Sequence, residues 1–275
     1  MTESLRINPR EIKKCLGSRI LGQAGLYFRS LASTNDFAKQ LGSSGMKEGT
    51  IVFAESQSRG KGRLGRTWFS PEGGLWFSVI LRPPIEPRHA LKLTLLGSVA
   101  VVKIMSKLYG IDAEIKWPND VLINGRKTCG ILTESSINGK NLDFAVLGFG
   151  VNANFDLETF PRHLRDSATT LREQLRKEVS REILLCKLLE NVEVSYDLLK
   201  RGKFEEILED WRELSGFFGS CVRILDGQRT IAGTAVDLDA DGALIVKLKN
   251  GSVHKVLSGD AIRVIQTRRF GSNGN

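Results

Sequence analysis

Short apolar runs and helically spaced stretches alternate over most of the chain. Residues 26–31, 50–54 and 75–81 are apolar runs of strand length. The last of them, Leu75-Trp76-Phe77-Ser78-Val79-Ile80-Leu81, reads as a buried strand. Residues 8–16 carry Asn8 at an N-cap position, Pro9 in the first turn and apolar residues four apart, which predicts a short helix. Ser33-Thr34-Asn35-Asp36 is a cluster of capping residues ahead of a helical stretch at 37–41. Residues 89–109 place apolar side chains on most faces, as a largely buried helix does. Further helices are predicted over 180–200 and 204–214.

Between residues 113 and 152 the pattern is that of an antiparallel meander. A strand reaches Lys116, Pro118 interrupts its ladder, and the strand resumes at Val121. Asn124-Gly125 is a type I′ hairpin signal and Asn138-Gly139 marks a second turn. A third strand over 142–147 leads into Gly148-Phe149-Gly150-Val151-Asn152, where glycines permit close approach to the backbone. From Gly216 the texture changes to short alternating strands separated by Asp-Gly and Asn-Gly turns. These predictions give an α+β fold. Residues 1–215 form a central mixed or antiparallel sheet flanked by helices, residues 216–268 form a small SH3-like barrel, and 269–275 are a disordered tail.

Composition narrows the picture. The chain has 275 residues, 41% of them hydrophobic, and a formal net charge of +9, which favours an anionic ligand or partner. Cys15, Cys129, Cys186 and Cys221 are widely separated and form no CxxC pair. That spacing argues against a disulfide framework or a zinc site, and for a reducing compartment. With no apolar run of membrane-spanning length and no signal-peptide core, the expected location is the cytoplasm.

Two stretches carry candidate chemistry. In Gln57-Ser58-Arg59-Gly60-Lys61-Gly62-Arg63-Leu64-Gly65-Arg66-Thr67-Trp68, four cationic side chains fall between positions 59 and 66 among three glycines. Accessible N–H groups beside fixed positive charge suit an anion that must be wrapped, a carboxylate or a phosphate chain. The stretch is neither a P-loop nor a Rossmann fingerprint. A solvated connection, or an arm that binds nucleic acid, are the other readings of this alternation. The second stretch is Lys116-Trp117-Pro118-Asn119-Asp120. Lys116 as a guard on an edge strand is the plain explanation, but a guard gains nothing from the adjoining Trp-Pro-Asn-Asp. Similarly, Ser33 or Thr34 serves either as a helix cap or as a polar contact for a ligand at a strand-to-helix junction.

Taken together these residues resemble the biotin–protein ligases, enzymes that attach biotin to a lysine of a carrier protein. The resemblance rests on Ser33-Thr34-Asn35, on Gln57 with the glycine-rich stretch through Trp68, and on Lys116-Trp117-Pro118-Asn119-Asp120. It continues in Lys127 with Gly130-Ile131-Leu132 and in Gly148-Phe149-Gly150-Val151-Asn152. It implies a two-step reaction in which ATP and biotin give biotinyl-5′-AMP and pyrophosphate, followed by transfer to a lysine of a biotin carboxyl carrier protein.

The resemblance also implies roles. Ser33, Thr34, Asn35 and Gln57 would line the biotin pocket; Lys61, Gly62, Arg63 and Lys116 would meet its carboxylate and the phosphate. Lys116 and Arg63 would be the catalytic cations. Arg66, Trp68, Asn119, Lys127 and Asn152 would serve the nucleotide. Magnesium is expected with ATP, with no protein ligands assigned to it. Lysine at position 61, where the family frequently has arginine, cannot supply a bidentate fork. Leu31-Ala32 stand where the family often has an acidic or polar residue. Because the resemblance begins by Ser33, no winged-helix domain is expected in front of it, and the expected protein is a ligase without specific DNA binding. The resemblance leaves a homodimer open. A lipoate–protein ligase and a non-enzymatic nucleic-acid binder are the competing readings.

Overall fold

A computed structural model describes residues 7–226, 229–257 and 259–263. The chain runs α1 (Pro9–Cys15), β1 (Gly25–Leu31), α2 (Thr34–Ser43), β2 (Ile51–Gln57), β3 (Leu75–Leu81) and α3 (Leu91–Tyr109). It continues through β4 (Ala113–Lys116), β5 (Asp120–Ile123), β6 (Arg126–Asn138), β7 (Asn141–Val151), α4 (Leu171–Leu175), α5 (Arg181–Lys200) and α6 (Phe204–Glu213). Then come β8 (Cys221–Asp226), β9 (Arg229–Leu238), β10 (Leu244–Leu248), β11 (Val253–Val256) and β12 (Asp260–Arg263).

Seven strands form one sheet in the order β1-β2-β3-β7-β6-β5-β4, parallel only between β1 and β2. Strand β3 shows how alternation builds the layers. Leu75, Phe77, Val79 and Leu81 enter the large core with α3 and α5, while Ile80 turns to the opposite face, where α2 packs with Ala38, Val52, Phe144 and Val146. Trp76, on that same opposite face, joins Phe155 and Phe160. Phe77 stacks on Phe149 across the β3–β7 ladder at 4.8 Å. Beyond α2, this second face of β6 and β7 carries Gly130, Gly148 and Gly150 in place of large side chains, and a cavity opens there.

The β4–β5 connection differs from the expected interrupted strand. β4 and β5 are antiparallel neighbours, with Ile115 opposite Val121 and Lys116 opposite Asp120, so the chain reverses at Trp117-Pro118-Asn119. The Trp117–Pro118 peptide is cis, a geometry that belongs to tight turns. Asn124 and Gly125 both have positive φ, 51° and 73°, as a type I′ turn requires. β7 continues through Gly148-Phe149-Gly150-Val151 instead of ending before them. β4 is an edge strand, yet its backbone is covered: Ile115 N donates to Leu214 O at 2.9 Å and Ser215 Oγ to Ile115 O at 3.2 Å. An edge-guard role for Lys116 loses its purpose.

The second sheet has the order β11-β10-β9-β8-β12 and is antiparallel throughout. Among the described residues its outer strands β11 and β12 do not pair, so the observed unit is a small antiparallel sheet rather than a closed barrel. Val222, Ile224, Ala235, Leu244 and Val246 belong to the same core as α3 and α5. The end of the barrel expected over 216–268 and the tail expected at 269–275 lie outside the described residues.

The expectation of four unpaired cysteines is corrected. Cys15 and Cys186 form a disulfide between α1 and α5, their Cα atoms 6.0 Å apart across a sequence separation of 171. The pairing depends on α1 packing along α5, which residue spacing does not reveal. The cysteine argument for a reducing compartment falls with it. Cys129 is buried and outside any disulfide. No helix among the described residues is long and apolar enough to cross a membrane.

Candidate active site

The cavity on the second sheet face holds about 410 Å³, within the usual range for a small-molecule site. All thirteen candidate positions named from the sequence line it: Ser33, Thr34, Asn35, Gln57, Lys61, Gly62, Arg63, Arg66, Trp68, Lys116, Asn119, Lys127 and Asn152. They come from five separate stretches, and the sheet register explains their convergence. Lys116, Asp120, Gly130, Gly150 and Trp76 face one another in a single row across β4, β5, β6, β7 and β3. Adjacent strands lie about 4.8 Å apart, so Lys116 stands about 10 Å from Gly130 and about 14 Å from Gly150 along that row.

One end of the cavity is a closed polar cluster at the N-terminus of α2. Ser33 caps the helix, its side chain accepting from Asp36 N at 3.3 Å, so capping and cavity lining coincide. Thr34 N and Oγ1 donate to Gln57 Oε1 at 2.8 and 3.1 Å, and Gln57 Nε2 donates to Ser70 Oγ at 2.9 Å. Ser78 Oγ, wholly buried, lies 2.8 Å from Thr34 Oγ1 and 2.7 Å from Asn35 Oδ1. Asn35 covers Gly148, where a Cβ would sit 2.0 Å from its Oδ1. The glycine is required by the asparagine.

The glycine-rich stretch is a narrow hairpin. Gln57 N donates to Ser70 O, Trp68 N to Gly60 O at 2.8 Å, and Gly62 N to Arg66 O at 2.7 Å. Leu64 and Gly65 make the tip with φ of 55° and 75°. Its cations differ in what they hold. Lys61 Nζ is hydrogen-bonded to Asp36 Oδ1 and lies 3.5 Å from Glu134 Oε1. The Asp36 hydrogen bond, aided by the Glu134 carboxylate, raises its pKa above the ordinary lysine value. Arg63 Nη1 donates to Gly259 O at 3.0 Å and reaches Asn119 Oδ1 at 3.5 Å; burial lowers its pKa. Lys127 pairs with Asp120 at 2.6 Å. Lys116 is the contrast: among the described residues its side chain has no hydrogen bond or ion pair, and it points its charge at the cavity unspent.

The other end is built around Trp68. Its indole lies over Gly130 and Gly150, where a Cβ would come within 2.9 and 2.4 Å of it, and Lys127 Nζ sits 4.8 Å over the ring. Here two buried polar atoms, Trp68 Nε1 and Asn152 Oδ1, have no hydrogen-bond partner among the described residues. Each such group costs about 1–3 kcal/mol unless a ligand or water satisfies it. A polar, partly aromatic occupant suits this end.

Several lining or supporting residues escaped the sequence reading. Ser78 had a signal, as the lone hydroxyl in an otherwise apolar buried strand. Asp36 and Glu134, which hold Lys61, had none, because their roles depend on register. Phe69, Phe160, Leu164 and Ala168 wall the Trp68 end from the hairpin and the irregular segment after β7. No group of three metal-capable His, Cys, Asp or Glu side chains occurs among the described residues.

Comparison with known proteins places this geometry. Residues 27–152 match the biotin/lipoate A/B protein ligase family, and residues 217–264 match the biotin protein ligase C-terminal domain. The bifunctional ligase/repressor BirA of Bacillus subtilis is 36% identical over 257 residues, spanning 93% of this chain and 78% of that protein. The biotin–[acetyl-CoA-carboxylase] ligase of Mycobacterium tuberculosis is 30% identical over 277 residues, spanning 96% of this chain and all of that protein. The solved structure of the Aquifex aeolicus biotin protein ligase, in complex with biotin and ATP, superposes with a TM-score of 0.76 at 29% identity over 88% of this chain and 100% of that one. By sequence and by fold, the chain belongs to the biotin protein ligase family.

Proposed function

We propose that the cavity activates biotin with ATP and passes it to a lysine of a biotin carboxyl carrier protein, acetyl-CoA carboxylase supplying the carrier as in the relative's name. The observation that carries this reading is one cavity with a polar cluster at Thr34, Asn35 and Gln57, an unpaired Lys116, and the Trp68 end over bare sheet glycines. The cluster suits a ureido ring, the cations suit a carboxylate facing phosphate, and the Trp68 end suits a nucleotide. In the first step a biotin carboxylate oxygen attacks the α-phosphorus of ATP and pyrophosphate leaves. In the second the lysine amine attacks the acyl carbon and AMP leaves. Lys116 and Arg63 stabilise the negative charge that gathers on the reacting oxygens. Arg66, Trp68, Asn119, Lys127 and Asn152 hold the nucleotide side, and the hairpin shields the acyl-adenylate from water. Magnesium is proposed to arrive on the phosphates of ATP with water completing its shell, since Asp120, which lines the cavity, and Asp36 and Glu134 beside it are already paired with lysines. The second sheet is proposed to be the SH3-like domain of the family.

The test is biotin-dependent ATP–pyrophosphate exchange, with lipoate in parallel because the family match spans both acids. Exchange with biotin and not lipoate is expected. Lys116→Ala should lower the exchange rate by at least about 100-fold while biotin binding changes far less. Exchange with lipoate alone would move the reading to the other acid, and normal exchange in the lysine variant would remove Lys116 from the chemistry.

A further inference from the structure

Glu134 has no place in the chemistry above, yet it touches both the polar cluster and the hairpin. It sits on β6, largely shielded from solvent, with its two carboxylate oxygens turned to different partners. Oε2 accepts from Asn35 Nδ2 at 2.9 Å and Oε1 lies 3.5 Å from Lys61 Nζ. The second Asn35 amide hydrogen goes to Leu132 O at 3.3 Å. An amide nitrogen facing a carboxylate and a carbonyl can have only one orientation, so Asn35 must present Oδ1 to Ser78. Oδ1 only accepts, so the single Ser78 hydroxyl hydrogen is drawn to it. Ser78 Oγ also lies 2.8 Å from Thr34 Oγ1, which donates to Gln57 Oε1; Gln57 is in turn tied to Ser70 and, through Ser70 Oγ, to Trp68 O. The chain of contacts leaves the hairpin at Lys61, crosses the cavity wall, and returns to the hairpin at Ser70.

We infer that Glu134 is a positioning residue that sets the donor and acceptor pattern of the polar cluster through Asn35 and couples it to the hairpin through Lys61. The inference rests on the biotin reading of the cavity and deepens it: the charge of Glu134 dictates which atoms the cluster offers a ureido group, and filling the cluster tightens the hairpin that covers the acid. Asp36 holds the same lysine, but among the described residues its side chain makes no hydrogen bond to the Asn35 amide, so it anchors Lys61 without linking it to the cluster.

Glu134→Gln keeps an acceptor and the shape but removes the charge and opposes an amide to Lys61. Trypsin reports on the hairpin directly, since Arg59, Lys61, Arg63 and Arg66 are its cleavage sites. Without biotin, the variant should be cut within residues 59–66 several-fold faster than the unaltered protein, as expected from local opening of a less tethered segment. With biotin, the unaltered protein should be protected and the variant should not. In pyrophosphate exchange the variant should raise the biotin KM about tenfold, the size of a lost charge-assisted hydrogen bond, with a smaller change in kcat. Ser78→Ala, which breaks the chain beyond Asn35 and leaves Lys61 alone, should raise the biotin KM without faster cleavage in the absence of biotin. Unchanged cleavage and unchanged biotin KM in Glu134→Gln would overturn the inference. If instead the variant is cut faster but biotin affects neither protein, the tether stands, the coupling to the cluster falls, and the biotin reading falls with it.

Discussion

Arg181 opens α5 and reaches back under the sheet to Glu55 on β2, two residues before Gln57. Arg181 is 4% exposed and Glu55 8%, and their Nη1 and Oε2 are 2.8 Å apart. The same Nη1 donates to Gly74 O at 2.7 Å, and Glu55 Oε1 accepts from Ile7 N at 2.7 Å. Replacing Arg181 with methionine keeps the stem but leaves a buried carboxylate with one backbone donor. Breaking a buried pair on one side costs about 3–5 kcal/mol, because the remaining charge stays desolvated. For a protein of this size a loss of 1 kcal/mol lowers Tm by about 2–4 °C, so Arg181→Met should lower it by about 6–20 °C. Removing both charges, as Glu55→Gln with Arg181→Met, leaves a neutral amide that keeps its bond to Ile7 and should recover about 2 kcal/mol or more of the sum of the single losses. Thermal unfolding followed by circular dichroism reads both quantities. A single variant within about 1 kcal/mol of the parent, or a double variant whose loss is additive, would refute the reasoning that desolvation dominates this pair.

Two other changes separate packing from charge. Gly150→Ala would put a Cβ 2.4 Å from Trp68 Nε1 and should drive the indole off the sheet. Trp76, Trp117 and Trp211 are at most 1% exposed, so increased acrylamide quenching of tryptophan fluorescence would report Trp68, and unchanged quenching would show that the indole has another way to yield. Glu193 accepts from Arg19 N, Ile20 N and Leu21 N at 2.8–2.9 Å. Burial alone would raise its pKa, but those N–H donors and the Arg19 side chain together hold it below the ordinary value. A depressed folded pKa means stability that is present above the unfolded value, near pH 4.5, and lost as pH falls through the folded one. Glu193→Gln should cost about 1–3 kcal/mol near neutral pH by urea unfolding, and the gap to the parent should narrow on acidification; a constant gap would count against the carboxylate's charge.

The sequence discloses elements where one force dominates. Strand β3 is found to the residue because both its faces are buried and its apolar run is unbroken, and α3 is found within two residues for the same reason. The thirteen candidate positions converge on one cavity because each lies where a strand or helix ends on the same side of the sheet. What the sequence hides is pairing between distant segments. Pro118 announces an irregularity but not that the chain turns back on itself there. Cys15 and Cys186 look solitary until α1 lies on α5. Lys61 looks like a free cation until the register brings Glu134 beside it and α2 supplies Asp36. Ser33 and Thr34 posed a choice between cap and ligand contact; Ser33 does the first while lining the cavity, because a helix start aimed at a cavity presents the same atoms to both.

The second sheet gives no described residue to the cavity lining, yet the carbonyls of two glycines between its strands hold side chains at the cavity's edge. Gly242 O receives Trp117 Nε1 at 3.2 Å, beside Lys116, and Gly259 O receives Arg63 at 3.0 Å. Both glycines have positive φ, and a Cβ at either would collide with a neighbour, at 2.3 Å from Leu95 and 2.8 Å from Leu225 O. The boundary that makes this sheet look like an interchangeable module is therefore misleading. A chimera that borrowed it from a relative would have to carry both carbonyls to within a few tenths of an ångström of their present height. A well-folded hybrid would otherwise inherit a complete set of cavity side chains set at the wrong angle.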